Sequence, residues 1–578
     1  MSTTPTAHRR WPRLLAVLTA AMALLAVGSG TAGATTSLNG DGSSWAGPAL
    51  DQWRQDVGPQ GINVNFSAVG SAIGRAQWAL GQDDFTASDV PFRTGGDAGN
   101  VGGAYNGAEN PVYDFSYVPV TAGGTAFMYH LTVAGKKVTN LRMSTDTLVR
   151  IFTGKITFWN DPAIEHDYGG KLPHTPITPV VRSDGSGATA QFTRYMEHTH
   201  KSQWDAYCKS VLSSTCGDYT EFYPPSGRMV AQNGSDVVAS YIQSRTGEGT
   251  IGYDEYAYAK RVNWPVVKVL NPAGFYTLPG PSNVAVALTA ARIRGVDDKT
   301  SPSDPNFLQQ NLDGVYTMRD PRSYPISSYS YLIVPRSGGK RGVPPRFNTT
   351  KGSALSRYIG YILCTGQGEA GQLGYSPIPR GLVKGGLLQV SHIPGNQSGI
   401  NPNTLSNCAN PTFNSAGKLT VLTDAPQPSA CDKVGAPLDC TVRNGKPVAA
   451  GASSSGGSSS GGGSGGTGGG SSGATGGTSG GAATGGGTGG TGGTVIDPQT
   501  GQVVPDAGAG TSGGTSDGGG SAVPADVVAL AGRDDDWLLG SLTALELLAV
   551  VTVPPVLGYH LRGRRRATAA GPGPRPGG

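Results

Sequence analysis

Residues 40–53 read GDGSSWAGPALDQW, a Gly/Ser turn that runs straight into a helix. Pro48 suits the first helical turn, and Leu50 and Trp53 share a face. Small residues let the backbone approach a ligand, and a serine hydroxyl caps the helix. Unpaired N–H groups then point outward at the positive end of the helix dipole. The arrangement recurs twice. Val69-Gly70-Ser71-Ala72-Ile73-Gly74 leads into a stretch containing Trp78 and Leu80, and Arg182-Ser183-Asp184-Gly185-Ser186-Gly187 leads into Phe192, Tyr195 and Met196. One such turn is ordinary, because serine and glycine are the preferred capping and turn residues. Three of them predict a site built to hold an oxyanion.

Two charged residues sharpen that expectation. Arg182 opens the third turn and offers an anion a planar fork of donors. Asp89 ends DFTASD (84–89), which reads as a buried strand. A carboxylate repels an anion unless the ligand carries a proton that it can accept. Phosphate at neutral pH keeps at least one P–OH and sulfate keeps none, so Asp89 would favour phosphate and leave sulfate facing an unpaired charge.

Composition limits what surrounds this site. Of 578 residues, 91 are glycine, 41 proline and only 14% charged, which excludes one ordinary globular domain. The glycine is concentrated near the C-terminus, so the first ~400 residues keep enough apolar side chains for a two-lobed core. The formal charge of +5 belongs to the ends. Eight of the 44 basic residues lie in the first 34 and last 17 positions, and the remaining 36 face 39 acidic residues, a net of −3. Nucleic acid is therefore excluded as a partner.

Both ends address a membrane. Arg9, Arg10 and Arg13, the apolar run Leu14–Val27 and the small residues Ala32-Gly33-Ala34 predict a secretory signal peptide over 1–34. Residues 537–561 predict a transmembrane helix, although Glu546 and Pro554-Pro555 interrupt it. The arginines at 562, 564, 565 and 566 place the tail 562–578 in the cytoplasm and the rest of the mature chain outside the cell. Residues 451–533, rich in Gly, Ser and Thr, read as a flexible, disordered tether. Its seventy most biased residues have a root-mean-square reach of roughly 45 Å.

Cys208, Cys216, Cys364, Cys408, Cys431 and Cys440 are even in number and exported, so disulfides are expected. Six cysteines allow fifteen pairings. Short loops favour 208 with 216 and 431 with 440, which leaves Cys364 with Cys408 and staples the extension 391–450 to the main body. No pair has C-x-x-C spacing, so no metal site is expected.

The ordered head resembles the phosphate-binding protein of bacterial phosphate ABC importers, a periplasmic-binding-protein-like family. The resemblance runs from about Leu38 to Arg380, through the segments above and IFTGKITFWNDPAI (151–164), GTIGYDEYAYA (249–259), YPISSYSYLIVPR (324–336) and YSPIPR (375–380). It implies an α/β fold of type II over 35–390, with two hinged lobes, one combining about 38–119 with 286–390 and the other holding about 120–285. It also implies phosphate contacts from Ser44, the Trp45 N–H, Ser71, Asp89, Arg182, Ser186 and Gly187, with Asp184 holding Arg182 by an ion pair. Two departures stand out: Ala188 replaces the family's usual hydroxyl residue, leaving its own N–H and the adjacent Thr189, and Asp41 replaces a small neutral residue.

The expected function is capture of inorganic phosphate for an ABC importer by a membrane-anchored, monomeric head that is not an enzyme and needs no cofactor. A surface phosphate sensor or reservoir, or a binder of another oxyanion such as a phosphonate, would use the same pocket. A phosphohydrolase is unsupported: of eight histidines only His198 and His200 are close, and the head has no G-x-S-x-G elbow.

Overall fold

The computed structural model describes residues 36–100, 107–450, 495–496, 503–504 and 577–578. The expected signal peptide, the expected membrane helix over 537–561 and nearly all of the expected tether and basic tail fall outside these residues. Among the described residues no helix is long and apolar enough to cross a membrane. The chain divides into two units, residues 1–459 and 460–578. Of the second, the structure describes an antiparallel ladder of Val495–Ile496 with Val503–Val504.

The first unit is built on eight strands: β1 (Thr36–Gly42), β2 (Ile62–Ser67), β3 (Phe85–Ser88), β4 (Phe115–Tyr129), β5 (Thr178–Arg182), β6 (Val230–Gln232), β7 (Thr250–Glu255) and β8 (Ser327–Pro335). Their spatial order is β2-β1-β3-β8-β4-β7-β5-β6. β2, β1 and β3 run parallel in one half, and β7, β5 and β6 run parallel in the other. β4 joins the halves. Its residues 115–124 pair antiparallel with β8, and 125–129 pair antiparallel with β7. The change of partner thus falls between Gly124 and Thr125. Gly123 permits this crossing, because a Cβ there would overlap the Glu255 carboxylate of β7. Fourteen of the fifteen β4 residues are buried, as a strand covered on both faces must be.

Four helices follow the parallel strands: α1 (Gly47–Val57) after β1, α2 (Ser71–Ala79) after β2, α3 (Gly187–Thr199) after β5 and α4 (Ser235–Gln243) after β6. Leu50 and Trp53 bury the inner face of α1 completely, and the Trp53 indole N–H donates to the Gly366 carbonyl at 2.9 Å. All four helices begin at the carboxyl ends of parallel strands, where ligands bind in open α/β sheets. Two further helices, α5 (Tyr256–Arg261) and α6 (Pro281–Leu288), follow β7 and pack on β4.

The disulfides are Cys208–Cys216, Cys364–Cys408 and Cys431–Cys440. The extension after residue 390 touches both halves. Asn410 Nδ2 donates to the Leu363 carbonyl at 3.1 Å, and Val421 and Ala425 pack on Ala285 and Val286 of α6. Farther along, Arg142 Nη2 donates to the Ala436 carbonyl at 2.6 Å, and Lys268 pairs with Asp432 at 2.7 Å.

Candidate functional site

The four helix N-termini converge where the halves meet. Ala72 N–H donates to the Gly185 carbonyl at 3.4 Å, Ser44 Oγ lies 3.1 Å from Ser235 Oγ, and Arg75 Nη2 of α2 pairs with Glu221 at 2.6 Å. The N–H groups of Trp45, Ser71, Gly187 and Ala188 find no acceptor among the described residues. They are the orphan donors that every helix leaves in its first turn, here contributed by both halves.

Asp89 sits at the end of β3, 2% exposed. Its carboxylate accepts from Ser43 Oγ at 2.8 Å to each oxygen, from Ser71 Oγ at 3.1 Å and from Ser330 Oγ at 2.5 Å. Burial raises its pKa, and the hydroxyls of Ser330, Ser43 and Ser71 together with the Arg182 charge pull it back. Its backbone carbonyl is held by Gln310 Nε2 at 2.8 Å and by Gln191 Nε2 of α3. Gly187 lies directly against the carboxylate, so that a Cβ at 187 would overlap it.

Arg182, at the end of β5, is 2% exposed. Asp184 grips one edge of the guanidinium, with Nε–Oδ1 at 2.8 Å and Nη2–Oδ2 at 2.5 Å. The other edge meets Ser44 Oγ from Nη2 at 3.1 Å, and Ser235 Oγ and Asp254 Oδ2 from Nη1 at 3.0 and 3.5 Å. Burial opposes the Arg182 charge, but Asp254 and Asp184 outweigh it and hold the guanidinium protonated. Asp184 is buried as well, and Arg182 overcomes that burial to keep its pKa below the usual range. Asp254 fares differently: burial pushes it up to about 6 against the pull of Arg182.

Ser44, Trp45, Ser71, Asp89, Arg182, Asp184, Ser186 and Gly187 all lie in this cluster. Ser186 caps α3, its Oγ accepting from Thr189 N–H at 3.4 Å. The Thr189 hydroxyl is turned to Tyr253 Oη at 2.8 Å, and the Ala188 side chain packs in the apolar core, so residue 188 offers only its N–H. Asp41 lies under α2 near Gly74, beside Asp83, and burial in that company pushes it up to about 7. The sequence reading missed Ser43, Ser235, Asp254 and Ser330. Ser235 carried the very signal used for the others, since Gly234-Ser235 is a fourth Gly-Ser turn entering a helix.

A buried guanidinium, a buried carboxylate and free helix N–H groups brought together from two halves are the donors and acceptor that a small protonated oxyanion requires. Residues 29–364, more than half of the chain, match the family described as PBP superfamily domain, and the protein belongs to that family. It is 28% identical over 354 residues to the phosphate-binding protein PstS of Xylella fastidiosa (strain Temecula1 / ATCC 700964), covering 61% of this chain and 84% of that one. It is also 28% identical over 328 residues to the phosphate-binding protein PstS2 of Mycobacterium bovis (strain BCG / Pasteur 1173P2), covering 55% and 76%. A solved phosphate-binding protein from Stenotrophomonas maltophilia aligns over 65% of this chain and 99% of its own, at 16% identity and a TM-score of 0.44.

Proposed function

We propose that the protein binds inorganic phosphate in the cleft between its two halves and delivers it to an ABC importer. One observation carries the reading: a fully buried carboxylate, Asp89, stands among orphan helix N–H groups within an anion cradle. A carboxylate offers about four lone-pair sites, and three serine protons fill three of them. The Ser43 proton is shared between both oxygens, and the fourth site is left for a P–OH. Ser44, Trp45, Ser71, Ser186, Gly187 and Ala188 would hold the remaining phosphate oxygens, with Arg182 neutralising their charge.

Asp89→Asn tests this selectivity. The amide donates to a fully ionised oxyanion and removes the repulsion, so sulfate should displace labelled phosphate far more effectively than from the wild type. An unchanged preference would show that proton acceptance is not how the site selects.

Residues 1–34, 451–533 and 537–561 support a second part of the reading, an exported head tethered to the outer face of the cell membrane. Protease added to intact cells is expected to release a soluble head of about residues 35–450 and leave a small membrane-bound stub. A head that stays on the cells after complete cleavage of the tether would rule out anchoring through 537–561.

A further inference from the structure

All five N–H donors of Arg182 are engaged. Nε and one hydrogen of Nη2 go to Asp184, the second hydrogen of Nη2 to Ser44, and the two of Nη1 to Ser235 and Asp254. The Asp184 edge is the stronger, with contacts of 2.5 and 2.8 Å. An oxyanion must therefore take the opposite edge, which Ser44 and Ser235 occupy while bonded to each other, and which Asp254 flanks. Serine hydroxyls can turn and donate to the incoming anion. A carboxylate cannot, and two like charges sharing one donor nitrogen lie within the ~4–6 Å at which each disfavours the other's ionised form.

We propose that Asp254 competes with the bound oxyanion for Arg182, so that the anion is held most tightly when Asp254 carries a proton. This rests on the phosphate reading and adds a second proton-dependent carboxyl to the site. The geometry leaves Asp254 little alternative. Its Oδ1 accepts from the Glu255 N–H at 2.8 Å, which aims Oδ2 at Arg182. The residue is 5% exposed.

The titratable groups around it are Arg182 and Asp184 from β5 and its turn, Tyr253 and Glu255 from β7, Tyr258 from α5, and Tyr375 from the other half. Asp184 is held below the usual range, burial raises Glu255 and the tyrosines, and burial raises Asp254 to about 6 against the pull of Arg182. Asp254 is then protonated below that value without cost to the anion. As pH rises through it, the anion must either hold the proton on Asp254 or face its charge.

The test is phosphate titration of the full chain and its Asp254→Asn variant from pH 5 to pH 8. The titration of free phosphate in solution is the same for both proteins and cancels in the ratio of their Kd values. The ratio should be near one at pH 5, with the variant about tenfold tighter at pH 8 if the anion moves Asp254 by one pK unit. If Asp254→Asn does not fold, Asp254→Ser carries the same comparison. A ratio that does not change with pH while the wild type binds phosphate overturns the competition alone. Failure of the wild type to bind phosphate at any pH overturns the phosphate reading and this inference with it.

Discussion

Arg182→Ala is expected to abolish measurable phosphate binding and to cost the fold about 3–5 kcal/mol. Binding fails because Arg182 is the one full positive charge in the cradle, and charge-assisted hydrogen bonds are about twice as strong as neutral ones. The stability loss has a separate cause: Asp184 and Asp254 remain buried with their shared partner gone. The pH dependence follows from the sign. Without Arg182 both carboxyls have folded pKa values above their unfolded ones. Their penalty then grows as pH rises from the unfolded carboxylate range near ~4 toward the folded pKa values, and it disappears as pH falls back to that range. Denaturant titration should therefore show a larger deficit at pH 8 than at pH 5. Phosphate affinity within a few-fold of wild type would remove Arg182 from the site.

The second large effect belongs to the smallest residue in the cradle. In Gly187→Ala the new methyl group overlaps the Asp89 carboxylate. Asp89 has nowhere to go, since Ser43, Ser71 and Ser330 fix its oxygens and two glutamines fix its carbonyl. The halves must then stand apart at the position where they should close. Overpacking of this kind costs about 1–3 kcal/mol, which would appear as a loss of phosphate affinity from about fivefold to more than a hundredfold. Gly381→Ala is the matched control, because a Cβ there meets nothing within 4 Å. Calorimetric titration of both variants should weaken only the first, and equal affinities would show that Gly187 does not pack on Asp89 when phosphate is bound.

What could be read in the sequence was local. Ser44, Ser71 and Ser186 announce themselves by turn residues entering a helical period, and the turn chemistry that marks them also exposes their N–H groups. Asp89 was legible because a charge at the end of a buried strand is out of place. Ser330 was not, because nothing within β8 tells a serine facing Asp89, 241 residues away in sequence, from its neighbours Ser327 and Ser328. Asp254 was hidden in the same way, as one of two adjacent acidic residues in a strand whose burial comes from β4 and β5 on either side. Long-range pairing of this kind depends on how the two halves close, which no window of sequence contains.

The extension shows the same division. Loop length favoured its disulfide pairings, whereas its reach from Leu363 and α6 to Arg142 and Lys268 appears only in three dimensions. The departure at Asp41, which placed a negative charge near the first turn, is explained by its direction: the carboxyl is buried under α2 beside Asp83.

The most direct test of the account is calorimetric titration of the wild-type protein with inorganic phosphate at neutral pH, first alone and then in a large excess of sulfate. A buried, proton-accepting cradle predicts saturation at one phosphate per chain, with an affinity that the sulfate leaves essentially unchanged. No heat of phosphate binding, or a phosphate isotherm abolished by sulfate, would contradict it.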